Sequence, residues 1–306
     1  MGEKTLNINW AAWIKASRLP SNAYILFPLL LGAALHKMQS GSVSYQLIAV
    51  TVAFGAAVQL YIVYANDYAD YEIDKLNKTF TPFSGGSRVL VDGELSRRQI
   101  GSAALTALAV CLMTGLLLVY LDRPAGPVFA VLSLLLLWAY SYGPVKLSYR
   151  GGGELLQMAG VGLILPVFGY YIQAGGVALF PSEYLAVLLP LNLACAVSTT
   201  LPDEPSDRLG CKRTFSVLAG LENAKLLVIL LYIAALLLYI ITVGKYLPYT
   251  RQISVTGLPV LAALGMVRFR ARAFPGNKAM LFFVICSILF TVSFTAGMAV
   301  ECFTRF

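Results

Sequence analysis

Residues 46–74 read QLIAVTVAFGAAVQLYIVYANDYADYEID. The first part, 46–65, holds no charged residue and is 20 residues long. That is the length a helix needs to cross a bilayer, about 20 residues. The run then passes without a break into Asn66, Asp67, Asp70, Glu72 and Asp74. An apolar span that ends in stacked carboxylates predicts a membrane helix with chemistry at one end.

Working outward, the same length of apolar sequence recurs. Runs at 20–36, 46–65, 100–120, 126–142, 155–174, 184–201, 224–243, 253–269 and 279–302 predict nine transmembrane helices. Gly257, Pro259 and Gly265 interrupt the eighth of these. The runs are continuous and not alternating, so the spans are helices and not barrel strands. Hydrophobic residues make up 58% of the 306-residue chain and charged residues 12%. A soluble domain carries about 45–50% and about 25%. A soluble enzyme, a disordered chain and a disulfide scaffold are therefore excluded. The first run lacks a small-residue cleavage site and reads as a retained span. Residues 1–306 read as one transmembrane domain, with no linker or soluble module.

The net charge of +8 need not point to nucleic acid, because the basic residues cluster between the spans. Eighteen of 23 Lys and Arg fall on one side of the predicted membrane, among them Lys4, Lys15, Arg18, Lys75, Arg97 and Arg208. The other five are Lys37, Arg123, Lys245, Arg251 and Arg305. The positive-inside rule puts the N-terminus and the loops 66–99 and 202–223 in the cytoplasm and the C-terminus outside. The five cysteines show no metal-ligand spacing and are expected as free thiols. The one histidine, His36, is expected at the membrane interface.

Asp67, Asp70 and Asp74 are spaced i, i+3, i+7, which places them within about 60° on one helix face. Like charges so stacked repel, and burial at a span end removes their hydration. A bridging cation would relieve both penalties. Oxygen ligands alone, without His or Cys, point to Mg2+. A solvated acidic cap is the competing reading. A second acidic pair, Asp203 and Asp207, follows the sixth span. Pro205 lies between them and is tolerated only in a first helical turn, so a new helix should start near Asp203. Two halves of four helices each would bring the two clusters together across a central cavity. Facing clusters could hold a diphosphate through metal ions.

A diphosphate also needs cations. Arg88 follows the Ser84-Gly85-Gly86-Ser87 stretch, Lys212 and Arg213 follow the second cluster, and Lys146 leaves the fourth span after Pro144, which should end that helix. Basic cytoplasmic flanks would supply such residues in any case. Tyr61, Tyr64, Tyr68 and Tyr142 are candidates to face a developing carbocation, though tyrosines also belong at membrane interfaces.

These motifs resemble the UbiA superfamily of intramembrane prenyltransferases. Asn66-Asp67-x-x-Asp70-x-x-x-Asp74 is similar to its first signature, Asp203-x-x-x-Asp207 with Lys212-Arg213-Thr214 to its second, and Tyr142-x-x-x-Lys146 to its Tyr-x-x-x-Lys element. The opening Arg18-x-Pro20 is also similar. Cys211, where a glycine commonly stands, and Pro205 depart from the pattern. The resemblance implies nine helices around a cavity under cytoplasmic cap loops, a prenyl diphosphate donor and Mg2+. It implies metal-binding and catalytic roles for Asp67, Asp70, Asp74, Asp203 and Asp207. Asn66, Arg88, Tyr142, Lys146, Lys212, Arg213, Tyr64 and Tyr68 would bind substrate. Thr81 to Gly86 and Tyr142 to Glu154 look closest to the quinone-biosynthetic, MenA-like members. A small aromatic acceptor follows, 1,4-dihydroxy-2-naphthoate first, in a protein of the cell (inner) membrane in contact with lipid. Other branches take 4-hydroxybenzoate, homogentisate, tetrapyrroles or glycerol-phosphate lipids, and a terpene cyclase would use the same metal site. A cation transporter is the rival from another class, but it would put its carboxylates nearer mid-membrane. A CDP-alcohol phosphotransferase would need an Asp-Gly-x-x-Ala-Arg signature, which is absent.

Overall fold

A computed structural model describes residues 9–305, and Lys4 lies outside the described residues. The chain begins with a short helix, α1 (Trp10–Ser17), capped by the Asn9 side chain. Next come α2 (Asn22–Ser40), α3 (Tyr45–Asp74), α4 (Arg97–Tyr120) and α5 (Gly126–Ser141). After the short α6 (Leu147–Arg150), helix α7 (Gly153–Ala159) runs through a π turn at Gly160–Ile164 into α8 (Leu165–Ala174). The second half holds α9 (Glu183–Thr200), the short α10 (Glu204–Leu209) and α11 (Phe215–Ala219), then α12 (Leu221–Thr242), α13 (Tyr249–Arg270) and α14 (Lys278–Phe303).

Each of the nine expected runs forms a helix. Eight of these helices are long and apolar enough to cross a membrane among the described residues. The remaining one, α5, has 16 residues and so spans about 24 Å, less than the roughly 30 Å of a hydrocarbon core. By length alone, α5 is the one of the nine that does not qualify among the described residues. Gly257, Pro259 and Gly265 do not break α13, which is continuous from Tyr249 to Arg270. Transmembrane helices tolerate such residues because neighbouring groups satisfy the freed backbone.

The interior divides into two apolar clusters. One gathers Phe54, Val58, Ile100, Cys111 and Phe168 from the first half, and the other Leu191, Val228, Phe283 and Phe290 from the second. Helix α2 serves both, with Leu29 in the first cluster and Leu31 and Leu35 in the second. It crosses α8 at Gly32 and Gly169. A Cβ on Gly32 would overlap Pro166 O, and one on Gly169 would overlap Leu29 O. Only glycine permits so close an approach of two backbones. The outer faces of α4, α12 and α13 expose Leu105, Met113, Leu116, Leu230, Leu237, Leu261 and Leu264. In water such a surface would aggregate, and in a bilayer it faces lipid tails. All five cysteines are free. His36 is half-buried near the end of α2, edge-on to Tyr170.

Lys225 is fully buried near the start of α12. Its ammonium donates to Arg270 O and Ala273 O, each at 2.9 Å, and pairs with Glu222 at 2.6 Å. It thereby satisfies carbonyls at the C-terminus of α13, the end at which a cation is favoured.

Candidate active site

Helix α3 carries all three aspartates of the first motif in its last two turns, and Asp67, Asp70 and Asp74 are buried. Helical periodicity puts them on the inward face. Asp67 is held by the Arg18 guanidinium and by the Ser87 hydroxyl and amide. Asp70 Oδ2 accepts from Lys212 Nζ at 2.8 Å. Its other oxygen, Oδ1, is buried with no hydrogen-bond partner. Asp74 packs against Gly86, where a Cβ would overlap Asp74 Oδ2. Gly86 also sits at φ +72, a backbone region that favours glycine.

The second motif begins in a 3-10 turn, Leu201–Asp203, followed at once by α10, which has Pro205 in its first turn. This is the helix start expected near Asp203. Asp203 Oδ1 accepts from Asn77 Nδ2 at 2.7 Å and Oδ2 from the Gly85 amide at 2.9 Å. Asp207 is buried, with its Oδ1 3.9 Å from Lys212 Nζ. Lys212 thus stands between the two motifs. Burial opposes its charge, but Asp70 and Asp207 override that and hold the ammonium well above its ordinary pKa.

Between the motifs lies a cavity of about 380 Å³. Its mouth is lined by Arg18, Asn66, Asp70, Asp74, Asp203, Asp207 and Lys212, and its body by Ile62, Val63, Leu136, Leu137, Val161, Ile288 and Val292. A charged mouth over an apolar body fits a ligand with a charged head and a hydrocarbon tail. The oxygen donors at the mouth suit a hard cation. Among the described residues, no three acidic, His or Cys side chains lie close enough to enclose an ion by themselves. Mg2+ in such sites commonly takes one or two carboxylates and completes its shell with water and phosphate oxygens. The unpartnered Asp70 Oδ1 fits that arrangement.

Several expected contacts lie elsewhere. The Arg88 guanidinium bonds to Asp74 O and Asn77 O and stacks on Phe80. Lys146 lies over the Tyr149 ring at 3.6 Å. Arg213 is exposed, and its amide donates to Ser148 O. The Tyr142 hydroxyl donates to Ala65 O at 2.7 Å. Tyr64 packs on Trp13, Tyr68 lies under Arg97, and Tyr61 is buried in the first apolar cluster. None of these seven is part of the cavity wall. For the α3 tyrosines the reason is angular. Taking Asp70 as zero and about 100° per residue, Tyr64, Tyr68 and Tyr61 fall at about 120°, 160° and 180°. The aromatic residues on the wall are Tyr24, Phe83 and Tyr140. Asn77, which ties the first loop to the second motif, carries no motif of its own.

The cap loops are bonded to one another. Phe215 N donates to the buried Glu154 at 2.7 Å, which fixes the segment after Lys212 to α7. Tyr149, in α6 beside Lys212, has its phenol pushed up to about 12, first by burial and then by Asp70.

Residues 25–288 match the UbiA prenyltransferase family. The chain is 25% identical over 219 residues to the 1,4-dihydroxy-2-naphthoate octaprenyltransferase of Mycobacterium tuberculosis, covering 72% of this chain and 73% of that protein. It is 26% identical over 242 residues to the digeranylgeranylglyceryl phosphate synthase of Pyrococcus furiosus, covering 76% and 78%. A UbiA homolog from Archaeoglobus fulgidus, solved with GPP and Mg2+, superposes with a TM-score of 0.66 at 17% identity, over 94% of this chain and 99% of that one. With its helical membrane fold, its two acidic motifs and a family match across most of its length, this chain belongs to the UbiA prenyltransferase family.

Proposed function

We propose that this protein transfers a prenyl group from a prenyl diphosphate to a small acceptor held in the same cavity, with Mg2+ as cofactor. The observation that carries the reading is the pair of carboxylate clusters across one mouth, with Asp70 Oδ1 buried and unpartnered above an apolar chamber.

Asp70, Asp74, Asp203 and Asp207 would hold Mg2+ together with the donor's diphosphate. Bound there, Mg2+ would neutralise charge that builds on the departing diphosphate. Lys212 and Arg18, both on the cavity wall, add fixed positive charge beside it. Arg88 and Lys146 act through the loops that they brace. The apolar walls take the prenyl tail and keep water from the allylic cation left by C–O cleavage. Tyr24 and Tyr140 offer aromatic faces to that cation. Asn66, on the wall one turn before Asp70, is placed to orient the acceptor, whose nucleophilic atom forms the new bond to the allylic carbon.

The lead acceptor is 1,4-dihydroxy-2-naphthoate, which would place the reaction in menaquinone or related quinone biosynthesis. The mycobacterial relative supports this. The Pyrococcus relative supports a second reading, a glycerol-phosphate lipid acceptor, over a similar share of the chain. The bias of Lys and Arg supports a cell-membrane protein with the cavity mouth on the cytoplasmic side.

The test is an acceptor panel. Purified protein in lipid receives Mg2+, a long prenyl diphosphate and, in parallel, the naphthoate, 4-hydroxybenzoate, homogentisate or a geranylgeranylglyceryl phosphate. Products are read by mass spectrometry. A prenylated naphthoate is the expected product. A product only with the glyceryl phosphate would select the second reading, and a cyclised hydrocarbon without acceptor would replace both.

A further inference from the structure

Two carboxamides interrupt the apolar body of the cavity. Gln59 is on its wall and only 3% exposed. It stands eleven residues before Asp70 on α3, which puts it on the same helix face to within about 20° and about 16 Å deeper. Its Nε2 donates to Ser21 Oγ, which in turn donates to Arg18 O at 2.7 Å. Gln157 of α7 is on the same wall, and its Nε2 donates to the Tyr24 hydroxyl at 3.4 Å. Ser21 and Tyr24 line the cavity as well. They are spaced i, i+3 where α2 begins, a spacing that sets side chains about 5–6 Å apart. The two amides therefore meet neighbouring side chains of one helix start. Each turns its donor to α2, and neither Oε1 accepts a hydrogen bond from any described residue.

A prenyl tail has no donor to offer these oxygens. A hydroxyl on the acceptor has one. Once the filled cavity excludes water, a carbonyl oxygen left without a donor is penalised. A pair of such oxygens selects for a molecule that brings two O–H groups.

We propose that Gln59 and Gln157 form an acceptor subsite that receives two hydroxyl groups, so that the protein prefers an aromatic diol to acceptors with one hydroxyl. This rests on the prenyl-transfer reading and narrows its acceptor. Both hydroxyls of 1,4-dihydroxy-2-naphthoate are engaged. With 4-hydroxybenzoate, or with a glycerol-phosphate lipid that has one free hydroxyl, one of the two oxygens stays idle. Gln59 and Gln157 thus set specificity, while Asn66 sits nearer the reacting carbon.

The experiment uses the full-length protein in lipid and three ligands: the dihydroxynaphthoate, and 1-hydroxy-2-naphthoate and 4-hydroxy-2-naphthoate, which each lack one hydroxyl. Equilibrium binding is followed by the fluorescence of the ligand, and prenylation with a fixed donor and Mg2+ by mass spectrometry. Unaltered protein should bind the diol about tenfold or more tighter than either analogue. Gln59→Met and Gln157→Met remove the oxygen and keep the length of the side chain. Each should bind the diol about tenfold more weakly and become indifferent to one of the two hydroxyls, a different one in each variant, as a cycle of paired deletions requires. Donor KM should stay within about threefold. Gln157 is only half-buried, so Gln157→Met keeps the test open if Gln59→Met fails to fold. Variants that weaken all three ligands equally, as loosening of α2 would, or that keep the full preference for the diol, would overturn the subsite. So would a protein that binds no naphthoate and prenylates only the glyceryl phosphate, with prenyl transfer left standing. Protein that turns over no prenyl donor with Mg2+ would sink the prenyl-transfer reading instead, and the binding measurement would still decide the subsite.

Discussion

Lys212 is 9% exposed and stands between carboxylates from two different motifs, Asp70 and Asp207. Its partner Asp70 is 142 residues away. Removing one member of a buried ion pair leaves a charge without compensation, at a cost of about 3–5 kcal/mol. Lys212→Met is therefore expected to lower kcat/KM by about a hundredfold or more in a diphosphate-release assay. A variant with unchanged kcat/KM would remove Lys212 from the site. Gly86→Ala is the second test at this scale. The added Cβ would meet the Asp74 carboxylate in a backbone region that costs a non-glycine residue about 1–2 kcal/mol. Donor turnover should fall about tenfold or more, while the melting temperature, set by the helices, should hardly move.

At the scale of elements, the glycine crossing of α2 and α8 locks together two helices of the first half. Gly169→Val would drive a side chain into the backbone at Leu29. Overpacking of this kind costs about 1–3 kcal/mol, which should lower the apparent melting temperature by about 3 °C or more. An unchanged midpoint would show that the crossing can relax. The helices were legible in the sequence because their apolar runs match the bilayer, and the first motif because a 3.6-residue period stacks Asp67, Asp70 and Asp74. The same period, applied to the tyrosines of α3, would have turned Tyr61, Tyr64 and Tyr68 away from Asp70. The shortness of α5 was less legible, since Ser141 and Tyr142 continue the apolar run to the point where Pro144 becomes incompatible with helix. The loops were not legible. The bond between Asn77 and Asp203 joins residues 126 positions apart, and no local pattern announces it.

For the whole molecule, the charge bias of the loops predicts which side the cavity opens to. Cys211 supplies a native label for this. It is the one exposed cysteine among the described residues, in the loop beside Lys212, while Cys111, Cys195 and Cys302 are buried. A membrane-impermeant thiol reagent should mark Cys211 in inside-out vesicles and not in sealed right-side-out cells. The reverse pattern would invert the orientation. The central claim is that the facing acidic clusters make a metal-dependent site for a prenyl diphosphate. The most direct measurement is diphosphate release from an allylic prenyl diphosphate by the purified protein in lipid, with and without Mg2+, beside Asp70→Asn. The account predicts release only with Mg2+, and a fall of about a hundredfold or more in the variant. Release that ignores both the metal and the substitution would contradict it.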